Sequence, residues 1–291
     1  MPLITGDAIL MHAQKNGYAV CAFNIENMEM VQAVVEAAEE KKSPVIIQTS
    51  ANTVKYASLE MFYAMVKAAV EKSSIPVALH LDHGDSKELA LKAVRAGYTS
   101  VMIDASKNLF EENIHITTQV VDICKPIGVS VESELGTVGG KPGDIEYGAD
   151  GYTKVEEAIE FVERTGISSL AVAIGTVHGV YKGKPNLDIE LLKKLRSKVI
   201  VPLVLHGASG LSEEDVKKCV KFGISKINYA TELRIAFSDS VKEYVTSHDK
   251  IIDPKLFTKY ARETVKQVVM EKMDICGSSN QVAQAIWRNS Q

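Results

Sequence analysis

The feature that most constrains this chain is a repeat of form: a short β-branched run followed by a longer stretch of helical period, eight times over. The first couplet is Ala19-Val20-Cys21-Ala22-Phe23 and then the apolar stripe Val31, Val34, Val35 and Ala38. Runs of the first kind read as buried strands and stripes of the second kind as helices. The same reading predicts strands at 45–48, 77–81, 100–103, 129–133, 170–174, 203–205 and 224–228. It predicts helices at 59–72, 86–96, 110–125, 154–165, 188–197, 212–222 and 231–246. Eight alternating units are the count of an α/β protein of the (β/α)8 TIM-barrel class.

Boundary residues agree. Ser43-Pro44, Ile75-Pro76 and Val201-Pro202 stand just before strands, where proline stops the preceding helix, and Gly97, Gly128, Gly166 and Gly223 stand at helix C-termini. No Ser/Gly/Pro linker divides the chain, so residues 1–277 read as a single barrel domain with a C-terminal helical extension at 254–275, and 278–291 as a polar tail. The segment 135–151 holds six glycines and no helical period, which marks it as a lid over a site.

Charge and cysteine content exclude several roles. Lys and Arg total 33 against 37 for Asp and Glu, the basic residues are scattered, and so a nucleic-acid partner is not expected. Cys21, Cys124, Cys219 and Cys276 show no CxxC pairing and read as reduced thiols, hence a cytoplasmic location. Neither a signal peptide nor an apolar membrane span is predicted.

In a parallel barrel the chemistry sits at the C-terminal strand ends. Polar residues crowd there: His80-Leu81-Asp82-His83 after strand 3, Asp104 after strand 4, Glu132 and Glu134 on strand 5, His178 after strand 6, His206 after strand 7 and Asn228 at strand 8. Imidazoles from three strand ends, His83, His178 and His206, either converge on one catalytic zinc or are three separately bonded rings. His80 reads as a ring hydrogen-bonded inside the barrel. Glu132, Glu134 and Asp104 read three ways: they orient ligands, hold a second cation, or bridge strands. Asp82 is the best-placed general acid/base. Gly207-Ala208-Ser209-Gly210 and Asn228-Tyr229-Ala230-Thr231 follow strands 7 and 8 and precede helices, where barrels bind phosphate through backbone N–H groups.

From Ala22-Phe23-Asn24 through His80-Leu81-Asp82-His83, Ser100-Val101-Met102-Ile103-Asp104, Val131-Glu132-Ser133-Glu134-Leu135-Gly136, Ala173-Ile174-Gly175-Thr176-Val177-His178-Gly179 and Leu205-His206-Gly207-Ala208-Ser209-Gly210, the chain resembles the class II, zinc-dependent ketose-1,6-bisphosphate aldolases. The resemblance spans about residues 1–275. It implies one catalytic Zn2+ per chain on His83, His178 and His206, with Asp82 as proton donor and Asp104 and Glu134 as ligands of an alternative or second metal, divalent or monovalent. It implies contacts to the dihydroxyacetone phosphate half from Gly179, Gly207, Ala208, Ser209, Asn228, Tyr229, Ala230 and Thr231, and to the other end of a phosphorylated sugar from Ser50 and Arg262. A homodimer or dimer-based tetramer is implied as well.

The run Asn228 to Leu233 with Ile235-Ala236-Phe237-Ser238 resembles the tagatose-type branch, whereas His83-Gly84-Asp85-Ser86 and Gly136 to Gly140 are closer to fructose-type or sugar-acid relatives. D-Tagatose 1,6-bisphosphate is the expected substrate, ahead of the fructose epimer or another phosphorylated keto sugar acid. A metal-dependent hydrolase and a non-catalytic phosphate-binding barrel are the competing classes.

Overall fold

Each predicted apolar run becomes a strand, and the eight strands close in sequence order. The computed structural model describes residues 3–138, 151–179, 185–283 and 286. The strands are β1 (Val20–Asn24), β2 (Val45–Ser50), β3 (Val77–Gly84), β4 (Ser100–Ile103), β5 (Ser130–Leu135), β6 (Ser169–Val172), β7 (Leu203–Leu205) and β8 (Ile224–Tyr229). All pairings are parallel, and β1 pairs with β8 to complete the barrel.

The helices are α1 (Gly6–Asn16), α2 (Met28–Lys41), α3 (Ala51–Ala57), α4 (Leu59–Val70), α5 (Lys87–Ala96), α6 (Phe110–Cys124), α7 (Val155–Thr165), α8 (Ile189–Lys198), α9 (Glu213–Lys221), α10 (Thr231–Ser247) and α11 (Pro254–Ile275). Gly97 and Gly166 take left-handed conformations that end α5 and α7, as their positions predicted. The C-terminal extension is α11, which packs on α2 and α10, and Lys41 meets Asp274 at 2.6 Å.

Two helices were not expected, α1 and α3. α1 lies across the N-terminal end of the barrel: Ile4 N–H donates to Val77 O (2.9 Å) and Gly6 N–H to Ser130 Oγ (3.0 Å). A Cβ on Gly6 would stand 2.9 Å from the hydroxyl oxygens of both Ser100 and Ser130, so only glycine lets the helix approach this closely. Above it Ile4, Ile9, Leu10, Ala13, Tyr18, Val20, Ala22, Ile46, Ala78 and Ile286 form an apolar floor. Outward-facing strand residues such as Leu79, Leu81, Val131 and Ile227 join the larger core beneath the helices.

Higher in the barrel, side chains of the same strands turn polar. β3 runs Ala78, His80, Asp82 at alternate positions, β5 runs Ser130, Glu132, Glu134, and β8 places Lys226 and then Asn228. The tail expected from residue 278 is docked where it is described: Ser43 Oγ donates to Ser278 Oγ (2.8 Å), and Ile286 is buried. Residues 139–150 of the expected lid lie outside the described residues.

Candidate active site

At the C-terminal end of the barrel, three strand ends bring three imidazoles together. His83, His178 and His206 each offer a nitrogen, and these atoms lie within 4.8 Å of one another. Their ring centroids are 4.7 Å apart for His83 and His206, 5.1 Å for His83 and His178, and 6.1 Å for His178 and His206. His83 is delivered by an irregularity: the pairing of β3 with β4 shifts register between Leu81 and Gly84, and His83 sits at φ +48°. A side chain held in the left-handed region at a bulge is re-aimed by the fold at a conformational cost.

Carboxylates hold the rings. His83 Nδ1 lies 2.7 Å from Asp104 Oδ2, whose other oxygen accepts from Ser106 Oγ at 2.7 Å. His206 Nδ1 lies 2.9 Å from Glu134 Oε2, and its Nε2 lies 3.0 Å from Glu132 Oε1. Burial works against a charged His206, but the hydrogen bonds and charges of Glu132 and Glu134 outweigh it and raise its pKa to about 9. His83, Asp104 and Glu134 form a second group with ligand atoms within 4.8 Å. Asp104 and Glu134 thus both orient histidines and remain able to ligate. Three nitrogen donors backed by carboxylates fit a divalent transition metal, with positions left for substrate.

Asp82 stands beside this group, 3.9 Å from His83 Nε2. Asn24 Nδ2 donates to its Oδ2 at 2.8 Å, Asn228 Nδ2 donates to its Oδ1 at 3.0 Å, and Gln48 Nε2 in turn holds Asn24 Oδ1 at 2.8 Å. Burial alone would raise the Asp82 pKa. The charges of His83, His206 and Lys226 and the Asn24 hydrogen bond overcome it and hold the carboxyl below the usual carboxylate range. Asn24 and Gln48 had not been singled out as site residues; alternation along β1 and β2 was the available signal, since Asn24 pairs with Gln48 and Ser50 with Asp82.

The two loops expected to hold phosphate flank the same mouth. Ala208 and Ser209 are buried, and Gly207 at φ +66° could carry no Cβ, which would stand 2.5 Å from Val177 O. Among the described residues no side-chain cap hydrogen bond closes the amino terminus of α10 at Ala230, and free backbone N–H groups at such a terminus can receive an anion. The Tyr229 ring, by contrast, is fully buried and stacks on Phe23 outside the barrel, so only its backbone faces the site. Gly179 has φ +87°, a glycine conformation, at the edge of the described residues.

The expected contacts to the far end of the substrate separate. Ser50 ends β2 next to Asp82, with its Oγ 2.9 Å from Thr53 Oγ1. Arg262 lies on α11 and donates to Gln32 Oε1 of α2 at 3.0 Å, with Glu36 at 3.7 Å.

An eight-stranded parallel barrel with a three-histidine centre and a clamped carboxylate defines a metalloenzyme of the barrel class. The class II fructose-bisphosphate aldolase family model matches residues 4–281, and the chain belongs to that family of metal-dependent carbon–carbon lyases. It is 46% identical over 284 residues, 97% of this chain and 100% of the relative, to a Bacillus subtilis (strain 168) protein named "Probable fructose-bisphosphate aldolase". The YdjI aldolase of Escherichia coli K12 is similar in structure, with TM-score 0.87 and 41% identity over 97% of this chain and 100% of that one. So is the fructose-bisphosphate aldolase of Campylobacter jejuni, with TM-score 0.83, 27% identity and 97% of both chains covered.

Proposed function

We propose that this protein is a zinc-dependent aldolase that reversibly cleaves a ketose 1,6-bisphosphate to dihydroxyacetone phosphate and glyceraldehyde 3-phosphate. The observation that carries the reading is the meeting of His83, His178 and His206 beside an ionised, doubly hydrogen-bonded Asp82. His83, His178 and His206 would hold the zinc, which when bound would supply Lewis acidity, the electron sink that breaking a C3–C4 bond requires. Asp82 takes the proton from the C4 hydroxyl during cleavage and returns it during condensation, and the Asn24 and Asn228 amides keep it aimed. The backbone of Gly207 to Ser209 and of Ala230 and Thr231 anchors the C1 phosphate, which orients the reacting carbons. Ser50, adjacent to Asp82, faces the half of the substrate beyond C4.

Between the C4 epimers the choice is D-tagatose 1,6-bisphosphate, supported by the Asn228 to Leu233 run. The second reading, fructose 1,6-bisphosphate, is favoured by the name of the Bacillus subtilis relative. Epimers that differ in one hydroxyl are separated by whether buried polar groups are left unpaired. The test is kcat/KM on each epimer assayed separately, with metal content measured alongside. A tenfold preference for the fructose epimer overturns the tagatose choice, and cleavage of neither overturns the substrate class.

The working unit in this reading is a homodimer or a dimer-based tetramer in the cytosol. The exposed apolar side chains of Ile252, Leu256 and Tyr260 at and around the start of α11 support a covered surface, and the four unbridged cysteines support a reducing compartment. Sedimentation velocity distinguishes monomer from oligomer.

A further inference from the structure

The layer of the barrel directly beneath the histidine centre holds a lysine that the chemistry above does not use. Lys226, on β8, is fully buried. Its Nζ donates to Glu132 Oε2 at 2.7 Å and reaches His80 Nε2 at 3.4 Å. Glu132 passes the contact upward through Oε1 to His206 Nε2 at 3.0 Å, and His80 passes it across the barrel through Nδ1 to Ser100 Oγ at 2.7 Å. All five side chains, Ser100, His80, Lys226, Glu132 and His206, are at most 5% exposed.

An ammonium has donors and no acceptor, so a chain of hydrogen bonds built around one has its proton positions dictated from that point. His80 Nε2 must accept, which places the His80 proton on Nδ1, toward Ser100. Glu132 must accept on Oε2 and stay ionised, which leaves Oε1 to accept as well. His206 must then carry a proton on Nε2. The remaining nitrogen, Nδ1, lies 2.9 Å from Glu134 Oε2, and the proton it gives to that carboxylate is the one a bound metal would displace; Glu134 itself groups with His83 and Asp104.

We infer that Lys226 is a positioning residue that acts through Glu132 to fix the Nε2–H tautomer of His206, so that Nδ1 is presented to the metal. This rests on the zinc reading above. It also accounts for an otherwise costly arrangement, since a fully buried lysine is tolerated only when paired. Lys226 touches neither substrate nor metal. Its effect is on how tightly and in which orientation His206 is held, in the way that partners of metal-ligating histidines act elsewhere.

The experiment compares wild type, Lys226→Met and the double variant Lys226→Met/Glu132→Gln, each full-length. Zinc affinity is read by competition with a chromophoric chelator, and the His206 tautomer by NMR of 15N-histidine-labelled, zinc-loaded protein. Lys226→Met removes the charge at similar volume. It leaves Glu132 buried without its cation, so the double variant, neutral at both positions, guards against simple unfolding. The expected result is a folded double variant, by circular dichroism, whose zinc affinity is about 10- to 100-fold weaker, with loss of the pyrrole-type Nε2 signal of His206. Unchanged zinc affinity with an unchanged His206 tautomer in the folded double variant overturns the inference while leaving the zinc reading intact. Wild-type protein that binds no zinc overturns both.

Discussion

The two ends of the barrel are built from the same eight strands and obey opposite rules. At the N-terminal floor, inward residues are Val20, Ala22, Ile46 and Ala78, sealed by the apolar side of α1. A few residues further along the same strands the inward positions are His80, Asp82, Glu132, Glu134 and Lys226, all buried, several of them charged. The floor gains free energy from burial, roughly 25 cal/mol per Å² of apolar surface. The rim gives free energy up, through buried ions and through the left-handed His83. Stability and chemistry are thus stacked along one axis, and substitutions at the two ends have separable effects.

The largest effect is expected at the centre of the rim. His206→Ala drops metal content and aldol cleavage to background, and a chelator does the same to wild type, reversed by added zinc; metal analysis and a coupled triose phosphate assay read both. Full activity in metal-free protein would abolish the division proposed here. Next comes Asp82→Ala, for which kcat falls about 10²- to 10⁴-fold, the range of a general acid/base, with metal retained. If the variant loses metal while kcat per bound metal holds, Asp82 belongs to the metal site instead.

At the floor the pattern inverts. Ile9→Ala empties a fully buried position on α1 and costs about 2–5 kcal/mol in denaturant unfolding, with kcat and KM unchanged at temperatures where the protein is folded. A kinetic defect would mean that the floor transmits to the site. The smallest effect sharpens what counts as rim. Asp188 lies on the same side as the site, and its Oδ1 caps α8 by accepting from Leu191 N–H at 2.8 Å. Asp188→Ala costs about 1 kcal/mol and leaves kcat/KM alone.

The strands and most helices were legible because burial imposes a period on each, and His83, His178 and His206 because an imidazole at a strand end breaks that period. α1 was not, since it precedes the first strand and belongs to no couplet; what pins it is a glycine's approach to Ser100 and Ser130, a tertiary fact. Lys226 was hidden for a related reason. A lysine within an apolar strand reads as solvent-facing until closure of the barrel turns it onto Glu132 and His80. The grouping of Glu132, Glu134 and Asp104 was visible, but not which of them holds which ring nitrogen. Ser50 and Arg262 had only family likeness to place them; Ser50 stands beside Asp82 at the end of β2, whereas Arg262 lies on a helix outside the barrel.

Closure of the barrel has a consequence for folding order. Pairing of neighbouring strands joins residues such as Val45 and Val77, 32 apart, while β1 meets β8 through Val20 and Lys226, 206 apart. The entropy of joining chain ends grows only as the logarithm of their separation, so the closing contact costs less than about 2 kcal/mol beyond a local one. That margin is no larger than the burial of one aliphatic side chain. The sheet can therefore zip along its neighbours and leave closure to the end, where Cys276, just past α11, accepts from Ala19 N–H at 3.1 Å and latches the finished ring.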